Sequence, residues 1–364
     1  MIATQNGVPG LSGHPLVSVV INNYNYALYL STAIDSALNQ TYAPIEVIVI
    51  DDGSTDNSGN VLEGYKGRIR VVRKANGGQA STYNRGYLEA SGELILFLDA
   101  DDMLEPAAIM EAASRWEPGV SKVHFHLQVV EGIEATPTDI LLPTCRLAEG
   151  DLVGEILAKG HYNSPPASGN LYCRKALSEL FPMPEAEWRI AADTYPIFLS
   201  AFVGEVRACN KALGKYRVHG KNQDAQTEIT AALLRYRLSK ETHRDEMFRN
   251  FCEKKGFVYE LGTVQKHVGH LKIRLASLLL DPKLHPVPGD RCLNLLLRIL
   301  RATFQTTGNT RLKKLLIVAW AVSAILAPKR LLSQIVELGF VPTKRPSIVK
   351  RLFSAPPPEQ RVTV

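Results

Sequence analysis

Residues 95–103 read I-L-F-L-D-A-D-D-M, four apolar side chains running straight into Asp99, Asp101 and Asp102. A short apolar run bounded by polar residues marks a strand buried on both faces of a parallel sheet. Ligands of open parallel sheets bind beyond the carboxyl ends of the strands, where these acids stand. Crowded carboxylates raise one another's pKa unless a cation relieves them, and their hard oxygens suit Mg²⁺ or Mn²⁺. A solvated acidic loop, or a helix start, is the plainer alternative.

Upstream, the same pattern repeats. Residues 16–21 (L-V-S-V-V-I) form an apolar run that breaks into Asn22-Asn23-Tyr24-Asn25, and a helix is expected over 27–39. Residues 46–50 are a second apolar run, ending in D-D-G-S-T-D at 51–56, with Ser54 or Asp56 as a cap for the next helix. A short strand follows at 70–72. Asn76-Gly77-Gly78 then turns into a helix over 79–90. Strands alternating with helices predict βαβ units and an α/β parallel sheet. Downstream, a strand is expected over 122–130, a loop over 135–143, a second loop over 164–170 and a helix opening near Asp193.

The chain has 364 residues, 45% hydrophobic and 21% charged, which suits an ordinary globular protein of about two domains. Its five cysteines are scattered without a C-x-x-C pair, which points to reduced thiols in the cytoplasm and away from a zinc or disulfide framework. The first residues lack the basic and apolar regions of a signal peptide. Charge divides sharply. Residues 1–229 hold 18 Lys+Arg against 27 Asp+Glu, and residues 230–364 hold 24 against 9. The basic part carries no nucleic-acid motif, so an anionic lipid surface fits better than nucleic acid.

Five stretches in order, V-S-V-V-I-N-N-Y-N, D-D-G-S-T-D, N-G-G-Q-A-S-T-Y-N-R-G, L-D-A-D-D and Y-R-V-H-G-K-N, resemble glycosyltransferase family 2. The resemblance covers about residues 17–222 and implies a GT-A fold and an inverting transfer from a nucleotide-sugar donor. It places Tyr24 and Asn22 beside the nucleotide base and Asp52 as the acceptor of a base N–H, implying a uridine donor. Asn84 and Arg85 would run beside the nucleotide. Asp99-Ala100-Asp101 is similar to the family's D-x-D motif, whose acids hold ribose and a divalent ion (Mn²⁺ or Mg²⁺), with His219 reaching the metal or diphosphate. Asp193, in W-R-I-A-A-D-T-Y, stands where the family carries its general base, although Ala192 replaces the acid often found before it; a helix cap is the alternative role. Ser168, Gly169 and Asn170 would line the acceptor side. The acceptor implied is a glycan or lipid-linked glycan of polysaccharide or cell-envelope synthesis. A metal-dependent nucleotidyltransferase and an inactive binding protein of the same fold are the alternatives. No G-x-G-x-x-G follows the first strand, which argues against a dinucleotide enzyme.

The domain expectation is a loose tail over 1–14, a GT-A domain over 15–224, a basic helical region over 225–354 and a disordered tail over 355–364. Helices are expected over 229–254, 264–280, 293–304 and 312–340. Residues 315–327 are apolar apart from Ser323, between Lys313-Lys314 and Lys329-Arg330. As a helix this segment spans roughly 20 Å, short of the ~30 Å bilayer core. It is either a core helix or an interfacial one inserting Leu316, Ile317, Trp320 and Leu326 from the cytoplasmic face.

Overall fold

The computed structural model describes residues 13–220, 228–305, 310–341 and 344–346. The expected tails lie outside these residues, apart from positions 13 and 14. The described residues form two compact units, one built on 13–156 and 162–219, the other on 157–161, 220, 228–305, 310–341 and 344–346.

The first unit opens with β1 (Val17–Asn23), α1 (Ala27–Leu38), β2 (Ile45–Asp51), α2 (Ser58–Glu63), β3 (Arg70–Arg73), α3 (Gln79–Glu89) and β4 (Leu94–Asp99). β5 (Met103–Leu104), α4 (Ala108–Ala113), β6 (Val120–Glu131), β7 (Thr136–Leu142) and α5 (Val153–Lys159, whose residues from 157 onward fall in the second unit) follow. β8 (Asn170–Cys173), α6 (Arg174–Leu177), α7 (Thr194–Leu199) and β9 (Glu205–Val218) complete it. The sheet runs β3-β2-β1-β4-β8-β6-β9-β5, with β7 beside β6. The first four strands are parallel. Their alternation with α1, α2 and α3 is the α/β architecture that the GT-A resemblance implies.

Local physics accounts for the parallel half. Val19, Ile21, Val47, Val49, Leu96 and Leu98 pack with Leu30 and Ile34 of α1 in one core. Each such side chain stabilises the fold by about 1.5–3 kcal/mol. On the other face α3 approaches β1 so closely that a Cβ on Gly86 would lie 2.4 Å from a Val20 methyl carbon. Only glycine permits that contact.

β9 is a 14-residue strand that pairs with β6 and ends one residue before His219. Two expectations need correction. Residues 136–142 are an edge strand, not a loop, and an edge strand tolerates the proline at position 137. The helix expected over 312–340 is two helices, broken at Ala327-Pro328, because proline cannot continue the hydrogen-bond ladder.

The second unit contains α8 (Ala231–Lys255), α9 (Val268–Leu280), α10 (Cys292–Gln305), α11 (Arg311–Leu326) and α12 (Lys329–Phe340). Leu271, Leu275, Leu295, Ile299 and Ala321 form one of its cores. Among the described residues, no helix is long and apolar enough to cross a membrane.

Candidate active site

The strand ends align. In the sheet register Asn22 pairs with Asp99 and Asn23 with Asp51, so the last residues of β1, β2 and β4 stand level. Asn23 donates to Asp51 at 2.9 Å, and Ser54 donates to the same oxygen at 2.5 Å. Asn22 differs: both its side-chain nitrogen and its oxygen are buried without a hydrogen-bond partner. An unpaired buried amide costs about 1–3 kcal/mol, so this one is poised to gain from a polar ligand. Tyr24, two residues further along, is 45% exposed.

The acids of β4 take three different roles. Asp102 is buried, accepting from the Ser168 hydroxyl at 2.6 Å and from the Arg217 backbone N–H at 3.0 Å. Ser168 in turn accepts from the Asp99 N–H at 3.2 Å. Asp101 Oδ2 lies 3.0 Å from His219 Nε2, and that imidazole stacks on Tyr29 at 4.7 Å. The Arg217 guanidinium braces the loop from below, donating to the carbonyls of Asp101, Gly132 and Ile133. Asp99 keeps part of its surface open. Desolvation, then the charges of Asp102, Asp101 and Asp193, push its carboxyl well above the usual range. Burial and Asp101 do the same to Asp102. Ala100 points into the core.

Asp193 thus sits close enough to Asp99 to repel it. It immediately precedes α7, where its carbonyl accepts from the Ile197 N–H at 3.0 Å while its side chain makes no capping hydrogen bond. Its loop is docked on the first turn of α3. The Gln79 and Ala80 N–H groups donate to the carbonyls of Arg189 and Trp188, and the Ala192 N–H donates to Gln79 Oε1 at 3.0 Å. Ala191 takes the left-handed conformation, with φ of 58°. Gly78 makes this docking feasible, since its φ is +87° and a Cβ there would lie 2.7 Å from the Arg189 carbonyl oxygen.

Asp52 lies at the base of the same turn and is 2% exposed. Its oxygens accept from the Gly77 and Gly78 N–H groups at 2.9 and 2.8 Å and from the Lys74 ammonium. Asp52 thus anchors the turn, because the folded chain brings three donors to it.

Other expected residues also have structural work. Asn84 is buried, bonded to both backbone groups of Met183 and to Glu185. Arg85 lies exposed on α3 and pairs with Glu89 at 2.6 Å. Asn170 is buried and held by Lys122 Nζ at 2.9 Å and by the Pro166 carbonyl. Gly169 packs against Pro165 and the Phe125 carbonyl, and Ser168 serves Asp102. Ser168 and Asn170 are fully buried, with their polar atoms engaged within the protein. Tyr83 was missed. It is 1% exposed, stacks on Phe97 at 4.2 Å, and its hydroxyl has no partner, while Asp99 and Asp193 both bear on it electrostatically. Its sequence signal, an aromatic residue on an amphipathic helix, is shared by any core tyrosine.

Among the described residues, no three His, Cys, Asp or Glu side chains converge as a ready metal cage. The donor set still fits a cation that keeps most of its shell for phosphate and water: hard carboxylate oxygens crowded enough to resist ionisation.

Residues 18–159 match the family model described as glycosyl transferase family 2. An uncharacterized glycosyltransferase of Nostoc sp. is 39% identical over 212 residues, covering 57% of this chain and 66% of that protein. The chondroitin synthase of Pasteurella multocida is 31% identical over 269 residues, covering 67% of this chain and 26% of that protein. The chain thus spans less than two thirds of these curated relatives. Among solved structures, S. aureus TarS 1-349 superimposes with a TM-score of 0.49 at 17% identity, covering 89% of this chain and 90% of that one.

Proposed function

We infer that this chain, which belongs to glycosyl transferase family 2 through residues 18–159, moves a sugar from a nucleoside-diphosphate donor to a hydroxyl of a glycan acceptor with inversion. The observation that carries the reading is the convergence of an unpartnered Asn22 amide, the repelling pair Asp99 and Asp193, and an open strand end. The donor lies over the ends of β1, β2 and β4. Tyr24 offers its exposed ring to the base, which the family resemblance makes uracil, and Asn22 gains a polar partner.

Asp193 takes the proton of the acceptor hydroxyl as its oxygen bonds to the sugar's C1. The bond from C1 to the diphosphate oxygen breaks on the opposite face, and the nucleoside diphosphate leaves with that electron pair. General bases so placed contribute roughly 10²–10⁴-fold. Asp99 and Asp101 would hold Mn²⁺ or Mg²⁺, with His219 fixing Asp101; the ion supplies positive charge to the departing diphosphate. Asp102, Ser168 and Arg217 hold that loop still.

In this reading residues 15–224 perform the transfer. The acceptor is a lipid-linked glycan under construction, met at the cytoplasmic face, where residues 225–354 bring the enzyme to the membrane. Nucleoside-diphosphate release from a panel of nucleotide sugars tests the reading. Release from one or two donors supports it, and no release from any donor, with or without acceptor oligosaccharides and Mn²⁺, overturns it.

A further inference from the structure

The second unit presents an apolar face that its own cores do not use. On α10, Leu293, Leu297, Leu300 and Phe304 recur at helical spacing, opposite Leu295, Ile299 and Thr303, which are fully buried. Leu293, Leu297 and Phe304 are each more than half exposed. On α11 the outward stripe is Leu312, Leu315, Ala319, Val322 and Leu326, opposite Ala321 and Ala324. Two helices therefore each carry an apolar stripe on the side away from the core, where a globular helix normally carries polar residues.

The structure also reverses the sequence expectation for α11. Ile317 and Trp320 face inward, with the Trp320 indole donating to the Ile335 carbonyl at 2.8 Å. Those side chains belong to the helical core; of the expected insertion set, Leu326 is the exposed one, at 76%.

Charge decides what covers the stripes. Between positions 291 and 336 the chain has eight Lys and Arg residues and no Asp or Glu. On α10 the exposed Arg301 borders the stripe and the exposed Arg298 lies further round on the same side; Arg311 begins α11, and Lys329 and Arg330 begin α12. A second copy meeting this face with its own would bring cation against cation. An anionic bilayer offers both hydrocarbon for the leucines and phosphate for the arginines.

We propose that the outward stripes of α10 and α11 dock on the surface of an anionic lipid bilayer, with the leucines and Phe304 entering the headgroup boundary. This deepens the membrane reading above by naming the docking face and its lipid. It is independent of sugar transfer.

Flotation of the full chain with vesicles tests it, using phosphatidylcholine alone or mixed with phosphatidylglycerol. Binding is expected only to the mixed vesicles, falling as salt is raised. Leu297→Ser with Leu315→Ser should weaken it at least about tenfold, as should Arg298→Gln with Arg301→Gln, without change in thermal unfolding. These side chains are exposed, so the variants should fold. Failure to float with anionic vesicles at low salt overturns the proposal, as does binding that neither pair of substitutions weakens. Self-association abolished by the leucine substitutions, without vesicle binding, overturns it in favour of a second copy. In each case nucleoside-diphosphate release is measured separately and reports only on the transfer reading.

Discussion

The Ala192 N–H donates to Gln79 Oε1 across 3.0 Å, tying the residue next to Asp193 to the first turn of α3. The position of the proposed base thus depends on a side chain that also stands beside the Gly77-Gly78 turn anchored by Asp52. Gln79→Ala removes one bond, worth about 1 kcal/mol. Turnover should fall about tenfold with donor affinity unchanged, because placement of a catalytic group is lost rather than binding. Gln79→Glu keeps the acceptor and restores most turnover. Its charge near Asp193 should shift the kcat–pH profile upward, a change that a purely structural role would not produce.

Asp193→Asn keeps size and shape but cannot take a proton. Turnover should drop on the order of 10²-fold or more, with the dissociation constant for the donor nearly constant. Calorimetric titration alongside steady-state kinetics separates the two quantities. Near-normal turnover would assign the base elsewhere.

Tyr83→Phe deletes a buried hydroxyl that has no partner within the protein. Stacking on Phe97 is kept, so thermal stability should hold or rise slightly. If the hydroxyl instead bonds donor or acceptor, kcat/KM should fall about fivefold to tenfold, the worth of one hydrogen bond. An unchanged kcat/KM would make Tyr83 a packing residue only.

Asp101→Asn removes a charged oxygen and alters the partner of His219. Nucleotide-sugar affinity in Mn²⁺ should weaken by about tenfold or more, while affinity in chelator changes little. Equal affinities with and without metal in the unsubstituted protein would remove the ion from the mechanism.

In the helical unit Lys272 packs its ammonium over the rings of Trp320 and Phe340, at 4.7 and 5.0 Å, and donates to the Gly339 carbonyl. Burial, with a contribution from Arg345, lowers its pKa from 10.5 to about 7. Between those values the folded state holds fewer protons than the unfolded chain, so this group's contribution to stability rises with pH across that window. Urea unfolding at about pH 7 and about pH 9 should show the unsubstituted protein gaining on Lys272→Met by up to about 1.4 kcal/mol per pH unit. A difference independent of pH would show that the aromatic rings keep the ammonium fully charged.

The amino-acid sequence by itself determined the parallel half of the sheet and the line of acids at its edge. The apolar runs ending at Asn22, Asp51 and Asp99 are local patterns, and a strand buried on both faces has no other way to satisfy them. Tertiary structure decided what each polar side chain does there. Asp52 became an anchor because Lys74, Gly77 and Gly78 fold back onto it, and Asn84 was claimed by Met183, a hundred positions away in rough terms. Asp193 acquired its setting from a loop docked on α3. The same holds in the helical unit. Periodicity marks α11 as apolar nearly all round, so only its neighbours α9, α10 and α12 could select Trp320 for the inside and leave Leu312, Leu315 and Leu326 outside.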